Sequence, residues 1–103
     1  MSPGSGCNRF AVDGELVERE DLRYTPAGIE RIVLKIRHVS VQQEAGVSRQ
    51  VQCDIPALAF GAAARQASSL KTGQQVQAQG FLAQRSLRIA QLVMHIDTIT
   101  LKE

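Results

Sequence analysis

The sequence contains few aromatic residues, few cysteines and no long apolar run, and these scarcities exclude several classes of protein. It has no tryptophan, one tyrosine and three phenylalanines among 103 residues. Its two cysteines, Cys7 and Cys53, form no Cys-x-x-Cys pair and lie far from both histidines in sequence, which excludes a disulfide framework and a zinc site. No apolar run reaches the length of about 18 residues that a membrane-spanning helix needs. The N-terminal residues lack the basic and apolar regions of a secretory signal, so we expect a cytoplasmic protein.

Positive charge is distributed unevenly along the chain. The 12 lysines and arginines against 10 aspartates and glutamates give a net charge of only +2. Five of the carboxylates lie between Asp13 and Asp21, whereas from Leu22 onward 10 basic residues stand against 5 acidic ones. A basic surface of this size is compatible with a nucleic-acid partner but does not require one.

The chain is long enough for one domain with one hydrophobic core. We expect residues 1–7, rich in glycine, serine and proline, to be a flexible leader, and residues 8–103 to be the domain. Apolar and polar side chains alternate from Arg9 onward, which predicts five strands. Cys53 lies on the apolar phase of the third strand and is expected to be a small buried side chain, and Leu92 is expected to face inward on the fifth. The special positions along these strands are a turn at 25–28, a loop at 42–46, the end of the clean alternation at Pro56, a strand start near Ile89 and a bulge or a strand end at 97–98.

An alanine-rich segment between the third and fourth strands predicts one short helix over residues 61–70, closed by Gly73. The predicted fold is therefore mainly β, in the order β-β-β-α-β-β. That order most resembles the OB-fold, a five-stranded Greek-key barrel with a helix between strands three and four. An SH3-like barrel is the alternative, but it does not normally carry a helix at this position.

No group of residues has the spacing of a catalytic site. The sequence has no nucleophile elbow, no phosphate-binding glycine loop and no metal-ligand motif. His38 and His95 are expected to be structural hydrogen-bonding residues, and the run from Asp13 to Asp21 a solvated strand edge. We therefore expect no enzyme activity, no cofactor, no metal and no small-molecule substrate.

The outer positions of the second and third strands form a candidate binding face, because OB-folds bind oligonucleotides on this side of the barrel. Lysine and arginine suit phosphates, and amide side chains suit sugars or bases. Tyr24, beside Arg23, is the only ring expected to be exposed as a stacking platform, since Phe10 and Phe60 are expected in the core. The residues on this face are Arg31, Lys35, Arg37, Ser48, Gln50 and Gln52.

Apolar residues on the outer phase favour a homodimer, because a small domain gains stability by burying them. Val33 and Val39 lie there among basic residues of the second strand. Phe81, on the outer phase of the fourth strand, either stacks on a base or fills a subunit interface, and the interface is the favoured prediction.

Several short motifs occur along most of the chain. They are Asn8-Arg9 with Gly14, LRYTPAGI at 22–29, HVSVQQEAG at 38–46, Arg49-Gln50 with Cys53, QGF at 79–81 and VMH at 93–95. Together these motifs resemble the PriB family, the bacterial primosomal replication protein N. The resemblance implies an OB-fold homodimer that binds single-stranded DNA in replication restart, stimulates the PriA helicase and hands over to other primosome proteins.

The resemblance also implies which DNA contacts are retained. Arg23 matches a basic contact position, whereas Val39 stands where family members can carry arginine. Val47 and Gln52 stand where members can carry aromatic residues. The connection between the last two strands is lysine-rich in some members, and here it retains only two arginines. The resemblance therefore implies weak, sequence-independent and salt-sensitive binding.

The sequence leaves two main functions open. The first is a DNA-binding accessory protein of the restart primosome, and the second is a dimeric adaptor for the helicase with marginal DNA binding. A third, an RNA-binding OB module, is distinguished by preference for RNA over DNA. The predicted DNA-binding residues are Arg23, Tyr24, Arg31, Lys35, Arg37, Gln50, Gln52, Arg85 and Arg88, and the predicted dimer residues are Phe81 and Val33.

Overall fold

Six strands and one short helix make up residues 6–102, the part of the chain that the computed structural model describes. The predicted leader at 1–7 lies outside the described residues except for Gly6 and Cys7, which are exposed. The elements are β1 (Phe10–Arg19), β2 (Arg23–Tyr24), β3 (Glu30–Glu44), β4 (Val47–Phe60), α1 (Ala62–Ser68), β5 (Gln75–Gln84) and β6 (Leu92–Leu101).

The five long strands close into a barrel. They are hydrogen-bonded in the order β1-β5-β6-β4-β3, and β1 also pairs with β3, which closes the sheet on itself. All of these pairs are antiparallel except β4 with β6, which run parallel over Ala57–Ala59. The predicted mainly β barrel with one helix between the third and fourth long strands is confirmed. The strand that the sequence pattern missed is β2, a two-residue strand paired with the start of β3.

The core forms where the alternating side chains point into the barrel. Leu16, Ile36, Val76 and Met94 come from four different strands, and each is fully buried. The helix closes the barrel with alanines at 63, 64 and 67, whose small side chains let it lie close to β3, β4 and β6. The apolar positions of the alternation on β1, β3 and β5 therefore face the core, because a period of two places every second residue on the same side.

Two glycines allow strands to approach more closely than a side chain permits. A Cβ atom at Gly14 would overlap the carbonyl oxygen of Arg37 on β3, and one at Gly80 would overlap the carbonyl oxygen of His95 on β6. At Gly80 the pairing of β5 with β6 shifts by one residue, so that Asp97 is left without a partner on β5. Of the two alternatives predicted at 97–98, the bulge is confirmed, and β6 continues to Leu101.

The prediction of a loop at 42–46 is wrong for three of its five residues. Residues 42–44 continue β3, and the turn consists only of Ala45 and Gly46, whose φ angles of 52° and 79° are typical of a two-residue hairpin turn. The hairpin extends beyond the barrel as an arm of residues 38–53, which we call the β3–β4 arm. The radius of gyration, 14.7 Å, accordingly exceeds the value of about 13 Å expected for a globular domain of this length. Polar residues can form this arm because neither of its faces packs on a core.

In the sequence pattern the clean alternation ends at Pro56, and in the structure the third long strand continues past it to Phe60. Pro56 pairs with Lys35 inside β4, one residue before Ala57, where the pairing with β6 begins. On the β6 side the strand is therefore an open edge at Pro56, where proline is tolerated because no partner strand needs its N–H group.

Three predictions about burial are also wrong. Cys53 is exposed because its position on the inner phase lies on the β3–β4 arm, beyond the barrel. Leu92 is 55% exposed, and it begins β6, so the predicted start near Ile89 is three residues too early. Phe60 is 40% exposed on the outside of the barrel rather than in the core.

Candidate nucleic-acid interface

A row of apolar and aromatic side chains crosses the outside of the barrel. Residues directly paired on neighbouring strands face the same side of a sheet, and the pairs Val33–Leu58, Leu58–His95 and Phe81–His95 join β3, β4, β6 and β5 in one row. Phe60, two residues beyond Leu58 on β4, lies on the same face. We call these five residues the ring band.

The three rings of this band stack on one another. The ring centroids of Phe81 and His95 are 5.0 Å apart with an interplanar angle of 10°, and those of Phe60 and His95 are 6.1 Å apart at 21°. Phe60 and Phe81 flank the imidazole, and 40% and 38% of their surfaces remain exposed. A chain otherwise poor in aromatic residues therefore gathers two of its three phenylalanines at one exposed place.

Two arginines lie at the β3 end of the ring band. Arg31 pairs with Phe60 across β3 and β4, and Arg23 pairs with Arg31 across β2 and β3. Like charges directly opposite each other on a sheet repel, so an anion between them is favourable. Neither guanidinium has a carboxylate within 4.0 Å among residues 6–102.

The tight turn before β3 holds Arg23 opposite Arg31. The amide of Thr25 donates to the carbonyl of Ile29 (2.9 Å), and the amide of Gly28 donates to the carbonyl of Thr25 (2.8 Å). Gly28 has φ 82°, which glycine adopts without strain. The turn predicted at 25–28 is confirmed. Tyr24, as expected, is well exposed at 66%.

The other predicted cations of β3 are already paired with carboxylates. The Arg37 guanidinium donates to both carboxylate oxygens of Asp54, Nε to Oδ1 at 2.9 Å and Nη2 to Oδ2 at 3.2 Å. This pair lowers the pKa of Asp54 and raises that of Arg37, mainly through the hydrogen bonds and then through charge attraction. Lys35 lies 3.4 Å from the carboxylate of Glu18. At these two residues the predicted basic face is therefore compensated by acidic neighbours.

The amides predicted to contact DNA on the third long strand lie far from the ring band. Gln50 and Gln52 are exposed on the β3–β4 arm, opposite Val41 and Val39. On the same strand, Gln52 lies six positions from Leu58 and eight from Phe60, which is roughly 20 and 27 Å. These amides and the ring band therefore form two separate surfaces.

The remaining predicted cations lie in the β5–β6 loop. Arg85 and Arg88 are exposed there, beyond the end of the ladder that carries Phe81. The amide of Arg85 donates to the carbonyl of Gln91 and its Nε to the side-chain oxygen of Gln91, both at 2.9 Å. These two positive charges therefore lie past the end of β5, outside the ring band.

Phe60 and His95 lie on the outer face of the barrel, although Phe60 was expected in the core and His95 as a structural hydrogen-bonding residue. The alternation contained the necessary signal, because Ala57 and Ala59 occupy the inner phase of β4 and so place Phe60 outside. His38, by contrast, has the structural role expected: its Nδ1 is 2.7 Å from the carbonyl oxygen of Asp13 and its Nε2 is 2.7 Å from the Ser40 hydroxyl. These bonds join the base of the β3–β4 arm to β1.

Within residues 6–102, no three residues of types that ligate metals lie together. No helix in this part of the chain has the length and apolar character needed to cross a membrane.

Known proteins are similar to this chain in sequence and in fold. A family model described as another single-strand binding protein family matches residues 8–98. The replication restart protein PriB of Nitrosomonas europaea is 33% identical over 89 residues, which cover 86% of this chain and 82% of that protein. PriB of Neisseria meningitidis serogroup B is 37% identical over 97 residues, which cover 91% and 94% of the two chains.

Solved structures agree with these relatives. The PriB protein of Ralstonia solanacearum matches with a TM-score of 0.85 and 34% identity, over 95% of this chain and 100% of that one. The single-stranded DNA binding protein of Thermus aquaticus matches with a TM-score of 0.76 and 25% identity, over 95% of this chain but only 51% of that longer one. The family indicated by the sequence motifs is confirmed, and this chain belongs to the PriB family of replication restart proteins, whose fold is that of the single-strand binding proteins.

Proposed function

We propose that this chain is a single-stranded DNA-binding accessory protein of replication restart, and that DNA binds along the ring band. The observation that carries this proposal is the exposed stack of Phe60, His95 and Phe81 next to Arg23 and Arg31. Aromatic faces stack with any base, and arginine binds phosphate, so the combination binds a single strand without reading its sequence. The names of the relatives support the restart role.

The predicted DNA-binding residues then fall into four groups. Arg23, Tyr24 and Arg31 contact the strand beside the rings. Lys35 and Arg37 contribute only when a phosphate displaces their carboxylate partners. Gln50 and Gln52 lie on the β3–β4 arm, too far away to contact the same few nucleotides. Arg85 and Arg88 lie in the β5–β6 loop, past the end of the strand that carries Phe81.

The predicted dimer residues belong to the same surface as the rings. Val33 and Phe81 stand in one row with Leu58 and His95, and Val33 lies between Arg31 and Lys35 on β3. Charged residues are depleted from the cores of protein interfaces, so these flanking cations favour DNA on this row. A homodimer that buries Val33 and Phe81 is the competing use, and the two uses exclude each other.

A second candidate function is a cytoplasmic, dimeric adaptor that stimulates the PriA helicase and binds DNA only marginally. The β3–β4 arm favours it, because Val39, Val41 and Val47 are 64%, 62% and 66% exposed there. The arm also carries an Arg49–Glu44 ion pair at 3.0 Å, so its charge is compensated. A neutral, valine-bearing arm suits protein better than phosphate.

The proposal is tested by fluorescence anisotropy of labelled oligothymidine, titrated with the full chain over a series of salt concentrations. Phe60→Leu and Phe81→Leu keep apolar bulk but remove the π-face, so each should weaken binding about 5- to 150-fold. Arg31→Ala should reduce the salt slope by about 0.7. Val41→Ala, on the β3–β4 arm, is the matched control and should have no effect.

Sedimentation of the same variants distinguishes DNA binding from dimerisation on the ring band. Leucine still buries apolar area, so Phe81→Leu leaves a dimer intact, whereas Val33→Glu abolishes a dimer that uses this row. No binding of oligothymidine even at low salt would exclude the DNA-binding function, and stimulation of PriA unwinding would then support the adaptor. Tighter binding to oligouridine than to oligothymidine would instead indicate an RNA-binding module.

A further inference from the structure

His95 is the only side chain of the ring band that can carry a charge. It stands in one row with Leu58 on β4 and Phe81 on β5, and the other two members, Val33 and Phe60, are apolar as well. Histidine gains or loses its proton between about pH 5 and pH 8. The charge at the centre of the band therefore depends on pH.

The imidazole of His95 has no hydrogen-bond partner within the described part of the chain. Among residues 6–102, neither of its ring nitrogens forms a hydrogen bond, and no carboxylate lies within 4.0 Å of them. Every buried side-chain nitrogen in these residues has a partner, so the ring nitrogens of His95 reach the surface. His38, by contrast, uses both ring nitrogens for Asp13 and Ser40. Of the two histidines in the sequence, His95 is therefore the one whose nitrogens are available to a ligand.

The stack accommodates a charged imidazole. The ring centroids of Phe81 and Phe60 lie 5.0 and 6.1 Å from that of His95, at interplanar angles of 10° and 21°. An aromatic face attracts a cation at distances up to about 6 Å. The N–H groups of an imidazole lie in its ring plane, so in this stack they point along the phenyl faces rather than into them. A protonated His95 therefore keeps its place between the rings while its N–H groups remain accessible.

Few charged groups face His95 from the elements around it. β4 and β5 present none beside it, because both of its cross-strand partners are apolar. On β6, Asp97 follows two residues later, and its carboxylate is bound by Arg9 of the chain before β1 at 2.7 Å. The helix packs against β6, and its one charged side chain, Arg65, is paired with Glu30. Both of these carboxylates are therefore already paired with arginines.

On the β3 side, positive charge without a carboxylate partner lies next to the band. Arg31 pairs with Phe60, and Arg23 lies opposite Arg31. Lys35, the next cation of this face on β3, is bound to a carboxylate of β1. Arg31 lies two strands across and two residues along from His95, which is roughly 12 Å. A DNA strand whose phosphates lie at the two arginines can therefore place another phosphate at His95.

We propose that His95 contacts a DNA phosphate in its protonated form, so that binding of single-stranded DNA tightens as the pH falls. On binding, the imidazole takes up a proton from solvent and donates a charge-assisted hydrogen bond to a phosphate oxygen. The neutral ring still takes part in the stack but adds no charge. This inference rests on the proposed function, since it concerns DNA bound along the ring band.

The experiment is the anisotropy titration of labelled oligothymidine with the full chain at pH 8 and at pH 6, each over a series of salt concentrations. Because the contact is exposed, affinity should be about threefold to fivefold higher at pH 6. The added phosphate contact should also steepen the slope of log affinity against log salt by about 0.7. In calorimetric titrations at pH 7, in two buffers of different ionisation enthalpy, binding should take up a fraction of one proton.

Substitutions at the two histidines separate charge from ring. His95→Phe keeps a flat ring in the stack and cannot be protonated, so its affinity and its salt slope should be nearly the same at both pH values. His95→Arg places a planar cation between the phenyl rings at every pH, so at pH 8 it should already show the salt slope of the parent at pH 6. His38→Gln is the matched control and should keep the pH effect of the parent. His38 lies on the opposite face of the sheet, five ladder positions away along β4.

Melting by circular dichroism at both pH values verifies that each variant is folded. If the affinity and the salt slope of the parent do not change between pH 8 and pH 6, or if His95→Phe keeps the full pH effect, the proposal is wrong, although DNA binding on the ring band stands. Loss of the pH effect in His38→Gln would assign it to His38 and likewise overturn the proposal. No binding of oligothymidine at either pH, even at low salt, would overturn both this proposal and the proposed function.

Discussion

Removing one carboxylate from the barrel surface should strengthen DNA binding. Asp54 accepts two hydrogen bonds from Arg37 on the outside of the barrel. Arg37 is paired with Asp54 on β4 and with Glu15 on β1, so the three side chains face the same side of the sheet. Any phosphate that reaches Arg37 has to displace Asp54 first. The substitution Asp54→Asn keeps the size of the side chain, removes the charge and frees the guanidinium.

The size of the gain follows from the exposure of the pair. About half of each side chain is accessible, 46% for Arg37 and 41% for Asp54, and exposed ion pairs are weak. We therefore expect affinity for oligothymidine to rise by no more than about fivefold. One additional phosphate contact should also steepen the salt dependence by about 0.7 in the slope of log affinity against log salt.

The assay is the anisotropy titration at several salt concentrations, with Glu44→Gln as the matched control. That variant removes the same charge from the Arg49–Glu44 pair on the β3–β4 arm, away from the ring band. If Glu44→Gln produces the same gain, general attraction explains the effect and Arg37 has no special position. An Asp54→Asn protein whose salt slope equals that of the parent would refute the reasoning that phosphate reaches Arg37.

Three further predictions concern the barrel itself. Gly80→Ala should lower the free energy of unfolding by about 2–4 kcal/mol, because the added methyl group overlaps the backbone carbonyl of His95. In a thermal melt, this loss of stability should lower Tm by at least about 10 °C. Asn8→Ala should lower the free energy of unfolding in urea by about 1–2 kcal/mol, because the Asn8 side chain donates to the carbonyl of Leu82 at 2.7 Å and accepts from its amide at 3.0 Å. A change in this free energy near zero would contradict the role of Asn8. The pKa of Asp13 is lowered, mainly by the hydrogen bond from the Lys102 ammonium. The ionised Asp13 carboxylate therefore stabilises the fold fully above the ordinary pKa of 3.8, and this stabilisation is lost as the pH falls through the lowered pKa. Urea midpoints measured between pH 7 and pH 2 should therefore decrease less steeply at acid pH for Asp13→Asn than for the parent.

The long β-strands of this protein could be predicted from short-range features of its sequence. Alternation of apolar and polar residues marked the long strands, alanine-rich composition marked the helix, and a phase change marked the bulge at Asp97. These signals are reliable because each arises from neighbouring residues on one element. The order of elements then limited the fold to one barrel, in which each inward phase has a core to face.

The burial of individual side chains was predictable only where a strand lines the barrel. Cys53 continues the inner phase of β4, but it lies on the β3–β4 arm, where no core exists to bury it. Leu92 has the inner phase of β6 and lies at the rim of the barrel. Alternation defines which side a residue faces, and it does not define what lies on that side.

The candidate site depended on register and therefore on the tertiary structure. Phe60, His95 and Phe81 are separated by up to 35 positions in sequence, and only the pairings of β4 with β6 and of β6 with β5 stack their rings. The pairing of β3 with β4 likewise brought Asp54 against Arg37 and cancelled charge that looked free in the sequence. The sequence alone indicated the five long strands and the two alternating faces of each, because both follow from a local period of two. The tertiary structure decided which outward side chains become neighbours, because cross-strand distances depend on closure of the whole barrel.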